Sequence, residues 1–134
     1  MSARTREPWW KMRLPKEIGP HEGIEFKLIE QGKKDLALFG FDYPEDDHYA
    51  KAKLLGLGVL EFDHGDAGLD GELKNVVFYR PGYQNKAQEL VDAVKLSLTR
   101  PEDWQAVEYQ IGSLLGYTDH EISVFIKHLE RINE

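Results

Sequence analysis

LALFGFDYPEDDHYAKAKLLGLGVLEFD, residues 36–63, is the stretch on which the fold turns. It opens with a short apolar run, LALFGFDY (36–43), closed by Pro44, which reads as a buried strand. EDDHYAKAKLLGLG begins with acids and continues through good helix formers, which suits the positive end of a helix dipole. VLEFD (59–63) reads as a second strand. A strand, a helix and a strand in succession imply a crossover, which would set the two strands parallel.

Downstream, NVVFY (75–79) is rich in valine and aromatics and reads as a third strand, antiparallel to the others. FDHGDAGLDGE (62–72) lies between it and the second strand. Asp63, His64, Asp66, Asp70 and Glu72 stand there among three glycines. A calcium loop of the helix–loop–helix type needs oxygen ligands at positions 1, 3 and 5, glycine at 6 and glutamate at 12. Starting from Asp63, only Asp63 and Gly68 fit that template, so the stretch reads as a hairpin turn.

The last third carries three helices. Ala87, Leu90, Val91, Val94 and Leu98 share one helical stripe, with Asn85 as an N-cap candidate and Gln88 three residues on. Pro101 suits the first turn of the next helix, whose stripe is Trp104, Val107, Ile111, Leu114 and Leu115, and Gly116 ends it. Thr118-Asp119-His120-Glu121 is a capping box, with Tyr117 and Ile122 positioned as its hydrophobic staple. Ile122, Phe125, Ile126, Leu129 and Ile132 form the apolar face of the last helix. Residues 21–31, HEGIEFKLIEQ, alternate like a strand but end in Gly32-Lys33-Lys34, so a short helix is expected. The whole reads as an α+β domain over residues 21–134, with a small mixed three-stranded sheet at about 36–43, 59–63 and 75–79.

Residues 1–20 differ from the body. Pro8, Pro15 and Pro20 interrupt any periodicity, and five basic groups face two acidic ones, a net of +3. The chain as a whole carries −7, and residues 42–72 alone hold nine acidic groups against Lys51 and Lys53. An acidic body repels a phosphate backbone, so direct nucleic-acid binding is not expected of it. Trp9 and Trp10 in the arm either fold against the protein's own surface or anchor a partner, tryptophan and arginine being common interface hot spots.

There is no cysteine, which excludes disulfides and thiol chemistry. MSARTREPWWKMRLP places charges and prolines where a secretory leader needs an apolar core, and no run reaches membrane-spanning length. The expected location is the cytoplasm, with no membrane partner.

Two functional classes follow. The leading one is an acidic binding or regulatory protein of the inhibitor, immunity or adaptor type, using Asp46, Asp47, Asp66, Asp70, Trp9 and Trp10, with no cofactor. Its partner would be a basic protein or a protein that binds nucleic acid. The alternative is a small magnesium-dependent phosphoryl-transfer or nuclease-like enzyme using Asp42 and Asp63, two aspartates at strand ends. A nucleophile or base for that chemistry is not recognisable, which ranks it second.

Two further motifs are weaker. Arg80, after a strand and before a helix, is an anion-site candidate, although pairing with an acid is the simpler expectation. HEGIE at 21–25 is a degenerate zincin motif in which Glu25 stands where the second histidine belongs.

Overall fold

The computed structural model describes residues 24–39, 46–63 and 74–132, with the side chains of residues 46, 63 and 74 excepted. Eight elements follow in order: α1 (Glu25–Glu30), β1 (Leu36–Phe39), α2 (Asp46–Leu55), β2 (Gly58–Asp63), β3 (Lys74–Tyr79), α3 (Gln84–Leu98), α4 (Trp104–Leu114) and α5 (Asp119–Ile132). The α+β class, the three strands and the three C-terminal helices stand where the sequence places them, with residues 40–43 of the first expected strand outside the described residues. The short helix expected between residues 21 and 31 forms as α1.

The pairing within the sheet is antiparallel throughout rather than mixed, because β3 lies between the other two strands. Its composition explains the placement. Val76, Val77 and Phe78 are all apolar, so both faces of β3 need cover, and all three are at most 1% exposed. β2 carries Glu61 and the half-open Val59 on one face, which suits an edge. β1 and β2 still run in the same direction, each antiparallel to β3, so their C-terminal ends leave the same edge of the sheet.

Alternation along the strands divides the core into two layers. Leu36, Leu38, Leu60, Phe62, Val77 and Tyr79 face α3 and α4, where they meet Leu90, Val91, Val94, Val107 and Ile111. Ala37, Phe39, Val76 and Phe78 face the opposite way, onto Phe26 and Ile29 of α1 and Tyr49 and Ala52 of α2. That second layer is an aromatic cluster. Phe78 meets Phe26, Phe39 and Tyr49 edge-on with ring centroids 5.5–5.6 Å apart, and His48 stacks on Phe26 at 4.5 Å. At the start of β2, the ring of Tyr79 lies directly over Gly58. A Cβ built there would come within 2.0 Å of Tyr79 Cζ, so only glycine fits.

The C-terminal helices stack outward, α3 on the sheet, α4 on α3 and α5 on α4. The capping box forms as expected. Glu121 N–H donates to Thr118 Oγ1 at 3.1 Å, and Thr118 N–H donates to Glu121 Oε1 at 2.8 Å. Other details differ. Tyr83, not Asn85, occupies the N-cap position of α3 and provides no side-chain cap, so Asn85 falls within the first turn. Pro101 precedes α4, which starts at Trp104 with Asp103 in the cap position. On α5, Ile122 and Leu129 are buried, but Phe125 and Ile126 are half-buried, because α5 rests on one neighbour rather than in the middle of the core. Among the described residues no helix is long and apolar enough to cross a membrane.

Thr118→Ala should lower unfolding free energy by about 1 kcal/mol through loss of the cap. Leu90→Ala, fully buried, should cost about 2–5 kcal/mol. Phe125→Ala should cost less than Leu90→Ala, because its ring is only half-buried. Urea denaturation of the three variants checks that order, and an inverted order would show that α5 rather than α3 holds the core.

Candidate functional site

The sheet edge at which β1 and β2 end is the first candidate site. β1 stops at Phe39, opposite Val76, and β2 stops at Asp63, opposite Lys74. One strand separates them, so the chain leaves that edge at two points roughly 10 Å apart. Asp46 opens α2, and Asp47 in the same first turn is exposed, with Lys51 Nζ 3.8 Å from its carboxylate. An acidic first turn is favoured by the helix dipole, and an exposed (i, i+4) pair of this kind adds only a few tenths of a kcal/mol. Asp42, Asp66, Asp70, Trp9 and Trp10 lie outside the described residues, as does the start of HEGIE. The backbone of Asp63 closes β2. Among the described residues no group of three or more metal-ligating side chains comes together.

Arg80 follows β3 directly, and its backbone N–H donates to Asp35 O at 3.0 Å. Its guanidinium Nη1 donates to Asp35 Oδ1 at 3.2 Å, so the pair ties the end of β3 to the turn before β1. Each side chain is 42% exposed, so the pair is worth little on its own, and its main effect is to orient Arg80.

A second site comes from the outward stacking of the helices. Glu108, in the middle of α4, is 3% exposed. Its Oε2 accepts a hydrogen bond from Ser97 Oγ of α3 at 2.7 Å, while Oε1 has no partner among the described residues. Burial raises its pKa from 4.5 to about 7, with the Ser97 hydrogen bond opposing the shift. Glu108 lines a crevice of about 50 Å³ between α4 and α5, together with Ile111, Gly112, Leu115, Ile122 and Phe125, and with Tyr117 and Glu121. Gly112 allows the close approach of the two helices. A Cβ there would lie 2.8 Å from Ile122 Cγ1. At the exposed end of the interface, the Tyr109 hydroxyl donates to Asp119.

Lys34 approaches the same region from the α1–β1 turn. It is 4% exposed and its Nζ stands 5.7 Å from the centroid of the Tyr117 ring. Burial lowers its pKa from 10.5 to about 8, partly offset by the charge of Glu25. Reading Lys34 only as a cation at the end of a helix misses this packing. Glu108 carried no marker in the sequence either. It sits between the stripe positions Val107 and Ile111 and is buried where α4 meets Ser97 of α3 on one side and the crevice toward α5 on the other.

A wider, open groove of about 460 Å³ runs along α3 and α4, past Gln88, Glu89, Asp92 and Gln110. There Gln88 Nε2 donates to Asp92 at 3.0 Å and Gln110 Nε2 to Glu89 at 3.2 Å, so these side chains already answer one another. In comparisons with known proteins, no family model, curated protein or solved structure matched this chain. The functional reading therefore rests on geometry and charge.

The Glu108 carboxyl makes stability depend on pH. Its folded pKa of about 7 lies above the ordinary 4.5, so the folded protein holds a proton that the unfolded chain releases between those values. That contribution is fully present below about pH 4.5 and is lost as the pH rises through about 7. Glu108→Gln, neutral and of the same shape, should unfold like the parent near pH 4. At pH 8 it should be more stable by up to about 3 kcal/mol, the free-energy equivalent of the shift. Urea unfolding at both pH values checks this, and equal stabilities at pH 8 would mean the carboxyl is solvated.

Proposed function

We propose that this protein is an acidic binding module that acts by protein contact, presenting one charged edge of its sheet to a basic partner. The supporting observation is the common direction of β1 and β2, which roots the segments 40–45 and 64–73 at the same edge. Those segments hold Asp42, Glu45, Asp66, Asp70 and Glu72, with Asp63 at the end of β2 and Asp46 and Asp47 at the start of α2. Eight of the nine acidic groups in residues 42–72 thus belong to, or directly adjoin, segments that leave the sheet at that edge, and Glu61 lies within β2. Such a surface steers a cationic partner into encounter and rejects acidic competitors. A basic protein, or one whose own ligand is nucleic acid, fits this surface.

The test uses the parent chain immobilised in extract of its native host. A basic protein should be retained at low salt and released at high salt. Replacing Asp46, Asp47, Asp66 and Asp70 with Asn should slow association with that protein by about ten-fold at low salt, with the difference vanishing at high salt. Thermal stability should hardly change, because exposed like charges contribute little to folding. Equal association rates for parent and variant at both salt concentrations would leave the edge as a solvated surface.

The same geometry supports a second reading. Because β1 and β2 run the same way, Asp42 follows three residues after the end of β1 at Phe39, and Asp63 closes β2. Two carboxylates with water and a substrate phosphate suffice for magnesium. A saturable rise in melting temperature below millimolar magnesium, abolished by Asp42→Asn or Asp63→Asn, would establish the metal-dependent reading over the contact reading. A flat titration would remove it.

A further inference from the structure

The crevice between α4 and α5 combines an apolar lining with one unanswered hydrogen-bond acceptor. Ile111, Leu115 and Ile122 form its walls, and Glu108 Oε1, buried and without a partner among the described residues, belongs to its lining. With the carboxyl ionised, a buried acceptor left in this state is unfavourable, because it has given up water without gaining a donor. The group that suits such a place is an apolar body with one donor and no acceptor, a description that fits the indole of tryptophan.

We propose that the Trp9–Trp10 pair of the N-terminal arm covers this crevice within the same molecule, one indole Nε1–H donating to Glu108. The inference is independent of the acidic edge, since no residue of the crevice lies between 40 and 74.

Charge, reach and size all fit. The charged side chains lining the crevice are Glu108 and Glu121, with Asp119 two residues before Glu121 and one cation, Lys34, against the Tyr117 ring. The arm brings Arg4, Arg6, Lys11, Arg13 and Lys16 against only Glu7 and Glu17. Basic groups flanking the tryptophans in REPWWKMR therefore meet acids on either side of the apolar contact, and the opposite pairing of charges sets its direction. The described chain begins at Ile24, beside α1, a helix of six residues. The turn after α1 carries Lys34 to the ring of Tyr117, itself part of the crevice. The fourteen residue steps from Trp10 to Ile24 span up to about 45 Å when extended, which is ample. A crevice of about 50 Å³ admits the N–H edge of an indole rather than the whole ring. The remainder of the ring lies across the half-buried Tyr117 and Phe125.

Nuclear magnetic resonance of the full chain at low concentration tests the contact. Trp9→Ala with Trp10→Ala should shift the amide resonances of Gly112, Tyr117 and Ile122, and leave those of Ala37, Val77 and Phe78 in place. Contacts between an indole and the methyl groups of Leu115 and Ile122 should disappear with it. Glu108→Gln should move one tryptophan Nε1–H resonance and no backbone amide of the sheet. If that variant fails to fold, Trp9→Phe and Trp10→Phe keep the rings and delete the N–H, and one of them should shift the carboxyl carbon resonance of Glu108. A synthetic peptide of residues 4–16 added to the double alanine variant should restore the parental crevice resonances. Crevice resonances unmoved by the double substitution would overturn the proposal. So would indole contacts that fade on dilution as the tumbling time falls, because the occupant would then be a second copy of the chain.

Discussion

The burial of β3 on both faces is the constraint from which the rest of the structure follows. Val76, Val77 and Phe78 are three consecutive apolar residues, so successive side chains point to opposite faces and both must be covered. α1 and α2 cover one face through Phe26, Ile29, Tyr49 and Ala52, and α3 covers the other through Leu90, Val91 and Val94, backed by Val107 and Ile111 of α4. With β3 in the centre, β1 and β2 become edges that run the same way. A strand pairing that the apolar core requires thereby decides where the acidic segments are rooted.

The second consequence lies on the α3 side. α3 is the only C-terminal helix in broad contact with the sheet among the described elements, so α4 and α5 build outward from it. Each helix added this way needs its own apolar contact with the one before. The close passage of α5 at Gly112 supplies that contact, and Glu108 is buried between Ser97 of α3 and the crevice it leaves. Two kinds of acid result. Asp47 is exposed and its charge is solvated, whereas Glu108 acts locally, through the cost of keeping a charge away from water.

Periodicity was legible in the sequence because it records which side of an element is buried. The stripe of α3, the paired valines of β3 and the Thr118–Glu121 box each depend on residues within a few positions of one another, and each forms as read. The charge contrast between the arm and residues 42–72 is a property of composition and needs no fold. Boundaries were less legible. Asn85 has the right chemistry for an N-cap, yet the cap falls two residues earlier, at Tyr83, because the turn at Pro81–Gly82 sets Tyr83 N–H onto Arg80 O at 3.0 Å.

Contacts between elements distant in the chain were decided only by the tertiary structure. A crossover helix is compatible with adjacent parallel strands, and only the demand of β3 for two neighbours makes every pairing antiparallel. Lys34 and Glu108 look like ordinary surface charges in sequence. Lys34 packs against Tyr117, 83 residues away in the chain, and Glu108 meets Ser97, 11 residues before it, and Ile122, 14 residues after it, and no local pattern encodes such meetings. Local order in this protein is thus written in side-chain spacing, whereas the fate of individual charges depends on which surfaces the core brings face to face.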